Sequence, residues 1–104
     1  MSGGAQPYRK GAAFERVVAR DLRSLGCLVI RNAGSKGDPL AAAFDLVSIN
    51  GGNPSLIECK LNGRLDPEPK KRLIVAAKAC GAMAILAKPG KAKGDPILYV
   101  QLWP

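Results

Sequence analysis

Phe44-Asp45-Leu46-Val47-Ser48-Ile49-Asn50-Gly51-Gly52-Asn53-Pro54-Ser55-Leu56-Ile57-Glu58-Cys59-Lys60 is the stretch that decides the fold. Two short apolar runs flank Asn50-Gly51-Gly52-Asn53-Pro54, a strong hairpin-turn signal. The stretch therefore reads as strands over Phe44–Ile49 and Ser55–Lys60, paired antiparallel. Side chains alternate across a strand, so Glu58 and Lys60 share one face while Ile57 and Cys59 point into the other. A carboxylate and an ammonium on a strand face flanked by apolar residues are costly to place there for packing alone. Asp45 is a single acid inside an equally apolar run, and the turn brings it close to Glu58 and Lys60.

Two neighbouring carboxylates repel, and a divalent cation relieves that repulsion. Carboxylate oxygens are ligands that Mg²⁺ prefers, with water and substrate phosphate in the remaining positions. A metal held there polarises a phosphodiester and lowers the pKa of a bound water. Lys60 would then orient or deprotonate that water, or stabilise charge as it builds on phosphorus. The spacing Asp45-x₁₂-Glu58-x-Lys60 matches the PD-(D/E)xK nuclease signature, with Phe44 in the place of the proline. The competing structural reading is a surface salt bridge between Glu58 and Lys60. Asp38 competes with Asp45 as the first acid, but it lies on a loop with no set distance to Glu58.

Outward from the hairpin, residues 1–8 read as a flexible lead, and 9–104 as one domain. Gly11–Leu25 carries Phe14, Val17, Val18, Leu22 and Leu25 at helical spacing, and Gly26 stands where a helix C-terminal glycine belongs. Asp21 falls near that stripe, which suggests a basic partner or a rim position. Cys27–Arg31 is a first strand, and Asn32–Ala43 a long loop of the kind that tends to carry function. After a polar loop, Lys70–Cys80 repeats helical spacing up to Gly81. Ala82–Ala87 reads as a strand covered on both faces, and Ile97–Trp103 as a closing strand. The order αβββαββ implies an α/β fold, a central mixed sheet flanked by helices.

Composition narrows the function classes. Sixteen Lys and Arg against eight Asp and Glu give a net charge of +8 over 104 residues, the balance of a protein that meets a polyanion. No apolar run approaches the roughly 20 residues of a membrane span, and Met1–Gln6 has no signal-peptide character, so an intracellular location is expected. Cys27, Cys59 and Cys80 form no CxxC pair and His is absent, which leaves reduced thiols rather than a zinc site.

Arg9-Lys10-Gly11-Ala12-Ala13-Phe14-Glu15-Arg16 resembles the RKGxxxER opening of the archaeal-type Holliday junction resolvases, a branch of the PD-(D/E)xK superfamily. Arg31, the Ser35 loop, Phe44-Asp45-Leu46-Val47 and Ile57-Glu58-Cys59-Lys60 follow in that family's order, from about Tyr8 to Trp103. The resemblance implies a single-domain restriction-endonuclease-like fold and a homodimer that nicks two opposing strands of a four-way junction. It implies Glu15, Asp45 and Glu58 as the acids of a Mg²⁺ site that Mn²⁺ would also fill, with no small-molecule cofactor. Lys60 would be the catalytic lysine, supported by Ser35. Arg9, Lys10, Arg31 and Lys36 would grip DNA phosphates, and the Lys70–Cys80 helix would form much of the dimer contact. Asp66-Pro67-Glu68-Pro69 departs from the plainer helix start expected. Such an enzyme would sit with the nucleoid, or in a host's cytoplasm if phage-encoded.

Gly11 after Arg9 and Lys10 would let the backbone approach a phosphate. Lys70, Lys71 and Arg72 suit a phosphate track or a solvated helix start equally, and Lys88, Lys91 and Lys93 lie in a basic loop. Tyr99 and Trp103 read as core or interface residues. The alternatives to a junction resolvase are a PD-(D/E)xK nuclease of restriction or repair type, and a basic protein that holds branched DNA without cutting it.

Overall fold

In the computed structural model the hairpin forms as its turn predicts. β2 (Leu46–Asn50) and β3 (Asn53–Cys59) run antiparallel with Leu46 opposite Ile57 and Asn50 opposite Asn53. Gly51 and Gly52 have φ of +64° and +87°, the positive values that a two-residue type I′ loop demands and that glycine supplies without a steric penalty. The structure describes residues 5–32, 38 and 40–104, and for 5–10 the backbone alone.

Around the hairpin the elements follow as α1 (Ala5–Ser24), β1 (Leu28–Arg31), a 3-10 turn (Ala41–Ala43), β2, β3, α2 (Pro67–Cys80), β4 (Met83–Lys88) and β5 (Leu98–Trp103). The five strands lie in sequence order in one sheet. β3 and β4 are parallel, and the other neighbours antiparallel. A parallel pair needs a crossover, and α2 provides it. The expected α/β order αβββαββ and the mixed sheet are both present.

The starts of both helices differ from expectation for one reason. α1 begins at Ala5, inside the stretch read as a flexible lead, and α2 begins at Pro67, before the expected Lys70. Proline interrupts a helix interior but suits its first turn, where the missing N–H has no partner to lose. Asp66 stands at the N-cap position of α2, so the proline-rich stretch is the helix start itself. Gly81 closes α2 in the left-handed conformation, φ +67°, its N–H directed to the carbonyls of Ala77 and Lys78.

The sheet is covered on both faces. Phe14, Val18, Ala19 and Leu22 of α1 pack on Val29, Leu46, Ile57 and Ala87. Leu73, Ala76 and Ala77 of α2 pack on Leu56, Ala82 and Ala84, joined by Phe44 and Trp103 at the margin. β2, β3 and β4 thus send alternate residues to opposite cores. Leu73 is fully buried and distant in sequence from the acidic strand ends. Leu73→Ala is expected to lower unfolding free energy by about 2–5 kcal/mol, read from urea denaturation. A loss under about 1 kcal/mol would mean that α2 does not seal this face.

Asp21 meets no basic group among the described residues: the Tyr99 hydroxyl donates to Asp21 Oδ2 at 2.6 Å, tying β5 to α1. Gly11 lies within α1, as its helical stripe implied, and an added Cβ there would meet nothing within 4 Å. The basic loop before β5 contains a closed turn, in which Ala92 N donates to Asp95 Oδ2 at 2.9 Å and Asp95 N to Ala92 O at 3.0 Å.

Candidate active site

At the end of the hairpin away from its turn, the ladder falls out of step. Leu46 faces Ile57 in the register, yet the amide of Asp45 also reaches the Ile57 carbonyl, at 2.9 Å. Asp45, just before β2, and Leu46, its first residue, thus both meet Ile57, a bulge-like arrangement that re-aims a side chain. The freed strand amide is taken by that side chain, with Cys59 N donating to Asp45 Oδ2 at 2.8 Å. Asp45 is therefore tied to β3 through both its backbone and its carboxylate.

Glu58 is half-buried beside Asp45. Burial raises its pKa first, and a hydrogen bond and charge from Asp45 add to this, so the carboxyl is pushed up to about 9 although Lys60 opposes the shift. Asp45 thus favours the protonated form of the Glu58 carboxyl when no cation separates the two groups. Glu15, from α1, is raised as well, by burial and then by the charge of Asp45, with Arg31 and Arg16 acting against it. Arg31 Nη2 lies 3.5 Å from Glu15 Oε1, so Arg31, expected to grip phosphate, also holds the third acid. Lys60 follows β3 directly, its amide bound to the carbonyl of Ala87 at 3.0 Å, and is half-exposed.

The structure therefore brings Glu15, Asp45, Glu58, Lys60 and Arg31 to one end of the sheet. Ser35 and Lys36 lie outside the described residues, as do the side chains of Arg9 and Lys10. Asp38 acts elsewhere, its Oδ1 accepting the amides of Leu40 and Ala41 at 3.1 and 3.3 Å, which caps the 3-10 turn. Asn32 carries no signal of its own in the sequence. Its side-chain amide donates to the carbonyls of Ala41 and Phe44, and its backbone N to that of Asp45 at 2.8 Å. It thus clamps both ends of the segment that delivers Asp45, a role visible only once the long loop has closed.

Among the described residues, no three Asp, Glu, Cys or His side chains stand close enough to enclose a metal. Mg²⁺ does not require such a cage, since it is commonly held by one or two carboxylates with waters and substrate phosphates. The adjacent Asp45 and Glu58 carboxyls fit that requirement, because a cation would relieve the interaction with Asp45 that raises the Glu58 pKa. Burial, then the neighbouring Asp45, Glu15 and Glu58, raise the Cys59 thiol pKa, which disfavours the reactive thiolate.

Comparison with known proteins places the chain in a family. The family model for archaeal Holliday junction resolvase (Hjc) matches residues 6–101. The crossover junction endodeoxyribonuclease Hjc of Methanocaldococcus jannaschii is 36% identical over 84 residues, a match covering 77% of this chain and 59% of that relative's length. The solved structure of Archaeoglobus fulgidus Hjc, a Holliday junction resolvase from an archaeal hyperthermophile, superposes with a TM-score of 0.71 at 27% identity. That match covers 89% of this chain and 73% of the other. With the match to the family model over most of its length and the same fold, the chain belongs to the archaeal Holliday junction resolvase family.

Proposed function

We propose that this protein is a Mg²⁺-dependent endonuclease that resolves four-way DNA junctions by nicking two opposing strands, acting inside the cell as a homodimer. The observation that carries this reading is Asp45, bound through its carboxylate to the Cys59 amide, beside Glu58 and Lys60 at one end of the sheet. Carboxyls arranged in this way destabilise themselves unless a cation occupies the site. Asp45 and Glu58 would hold the metal directly, and Glu15, steadied by Arg31, would complete the acidic set through water. Mn²⁺ would serve in place of Mg²⁺, since both take oxygen ligands. When bound, the metal supplies Lewis acidity toward the phosphodiester and a more acidic water.

The chain's own residues supply the rest. The Cys59 amide holds one oxygen of Asp45, so this carboxylate is oriented before substrate arrives. Lys60 places a positive charge where the phosphorane oxygens gather negative charge, or takes a proton from the attacking water. The excess of positive charge draws in the DNA backbone without reading its bases. Arg9, Lys10, Lys36 and Arg31 are assigned to phosphate contacts near the cut, and Ser35 to support of catalysis. An apolar groove of about 520 Å³ beside α2, lined by Leu40, Phe44, Val47, Leu56 and Ala76, supports a second copy seated along that helix. No helix among the described residues is long and apolar enough to cross a membrane.

The test compares a labelled four-way junction with a linear duplex of the same arm sequence, each in Mg²⁺ and in EDTA. Cleavage of the junction alone, lost in EDTA, is the expected result. Equal cutting of both substrates would make the protein a general nuclease, and tight junction binding without cutting under any divalent ion would make it a binding module.

A further inference from the structure

Arg16, Arg20 and Arg23 recur at i, i+4 and i+7 on α1, one stripe of the helix. With Arg31 of β1 they line a groove of about 310 Å³, whose floor is Ala19, 1% exposed. Arg23 Nη2 donates to the carbonyl of Val29 at 3.2 Å, which pins that guanidinium between helix and strand and leaves its other N–H donors for a ligand.

The charges in this groove are not balanced from within. Among the described residues, the single ion pair is Arg31 with Glu15. Of the two acids of α1 beside this stripe, Glu15 is paired with Arg31 and Asp21 accepts from the Tyr99 hydroxyl. Arg16, Arg20 and Arg23 therefore gather positive charge with no described carboxylate in ion-pair contact, and such a cluster is relieved by an anion from outside. Arginine forks match the paired oxygens of a phosphate group. The stripe from Arg16 to Arg23 spans roughly 10 Å at the helical rise, about three nucleotides of one DNA strand.

We propose that this groove is a second phosphate seat, in which Arg16, Arg20 and Arg23 hold the sugar–phosphate backbone of the DNA arm that flanks the cut. The proposal rests on the reading of the protein as DNA-acting and adds residues which that reading does not use. Arg31 connects the two places: it holds Glu15 on one side and lines the seat on the other. The seat secures DNA without taking part in the chemistry, and without regard to base sequence.

The experiment measures the affinity of the full chain for a four-way junction and for a linear duplex, in EDTA, over a range of salt concentrations. Wild type is compared with Arg20→Gln and with the double variant Arg20→Gln/Arg23→Gln. Each arginine in the seat should lower the slope of log Kd against log salt by about one, and the double variant should bind about tenfold more weakly at moderate salt. Cleavage by the double variant at saturating junction should stay within about twofold of wild type. Should the double variant misfold through loss of the Arg23–Val29 bond, Arg20→Gln alone decides the matter, since Arg20 makes no hydrogen bond or ion pair with a described residue that its loss would break. Unchanged slope and affinity in Arg20→Gln, or loss of saturated cleavage with an unchanged slope, would overturn the seat. Equal wild-type binding to junction and duplex would count against the resolvase reading, and the slopes would still decide the seat.

Discussion

Lys60→Ala is expected to slow single-turnover junction cleavage by about 10²–10³-fold, the loss that follows removal of one transition-state charge stabiliser. Affinity for the junction should stay within about twofold, because one charge among sixteen basic residues is a small part of the phosphate attraction. The geometry gives the reason. Lys60 follows β3 immediately, its amide anchored on Ala87 O, and its charge is close enough to Glu58 to oppose the rise in that carboxyl's pKa. If the pair were a surface salt bridge, its loss would cost about 0–1 kcal/mol of stability and leave cleavage unaltered. Asp45→Asn should be as damaging as Lys60→Ala. The amide oxygen can still accept the Cys59 N–H, so the fold is retained while the charge that would attract a metal is gone. Quantified cleavage time courses at saturating enzyme, beside binding isotherms in EDTA, separate the two outcomes.

Metal affinity is expected to climb steeply with pH. Below about 9 the Glu58 carboxyl, next to Asp45, keeps its proton in the metal-free protein, so a divalent ion must displace that proton to bind. Mn²⁺ affinity should therefore increase by up to about tenfold per pH unit between pH 6 and 8, with close to one proton released per metal bound. Calorimetric titrations in buffers of different ionisation enthalpy measure both quantities. Stability of the metal-free protein should move the other way. The unfolded chain releases the Glu58 proton at its ordinary pKa of 4.5 while the folded protein keeps it until about 9. The folded state then binds more protons than the unfolded one across that interval, and its stability declines as pH rises. Glu58→Gln should flatten this decline and weaken Mn²⁺ binding. A metal affinity independent of pH, or a Glu58→Gln variant with wild-type affinity, would dissociate the acidic pair from the metal.

The sheet was legible in the sequence because its punctuation is local. Gly51-Gly52 dictates the hairpin, Gly26 and Gly81 end the helices, and alternation in β3 separates Ile57 and Cys59 from Glu58 and Lys60. The helix starts were less legible: Pro7, and Pro67 with Pro69, look like breaks when read alone, yet they sit in first turns where proline is tolerated. Phe44, in the place of the signature proline, is extended and packs at the α2 margin while its carbonyl receives the Asn32 amide. The Asp45–Glu58–Lys60 association could be anticipated, because a short turn sets the register and one strand carries two of the three residues. The clamp by Asn32, the capping role of Asp38 and the Asp21–Tyr99 bond could not, since each joins segments whose approach depends on the closed fold. The arginine stripe of α1 was present in the sequence as ordinary positive charge. It becomes a site only where β1 lies alongside and Arg31 completes the groove.

Resolution in one binding event is the central claim, and a supercoiled plasmid bearing an extruded cruciform tests it most directly. Two opposing nicks made within the lifetime of one complex convert the circle to a linear product. A single nick releases the supercoil, reabsorbs the cruciform and leaves a nicked circle. With Mg²⁺ the wild-type protein should yield linear DNA as its first product, and none in EDTA or with Lys60→Ala. Accumulation of nicked circles alone, or equal cleavage of a plasmid without the cruciform, would contradict the account.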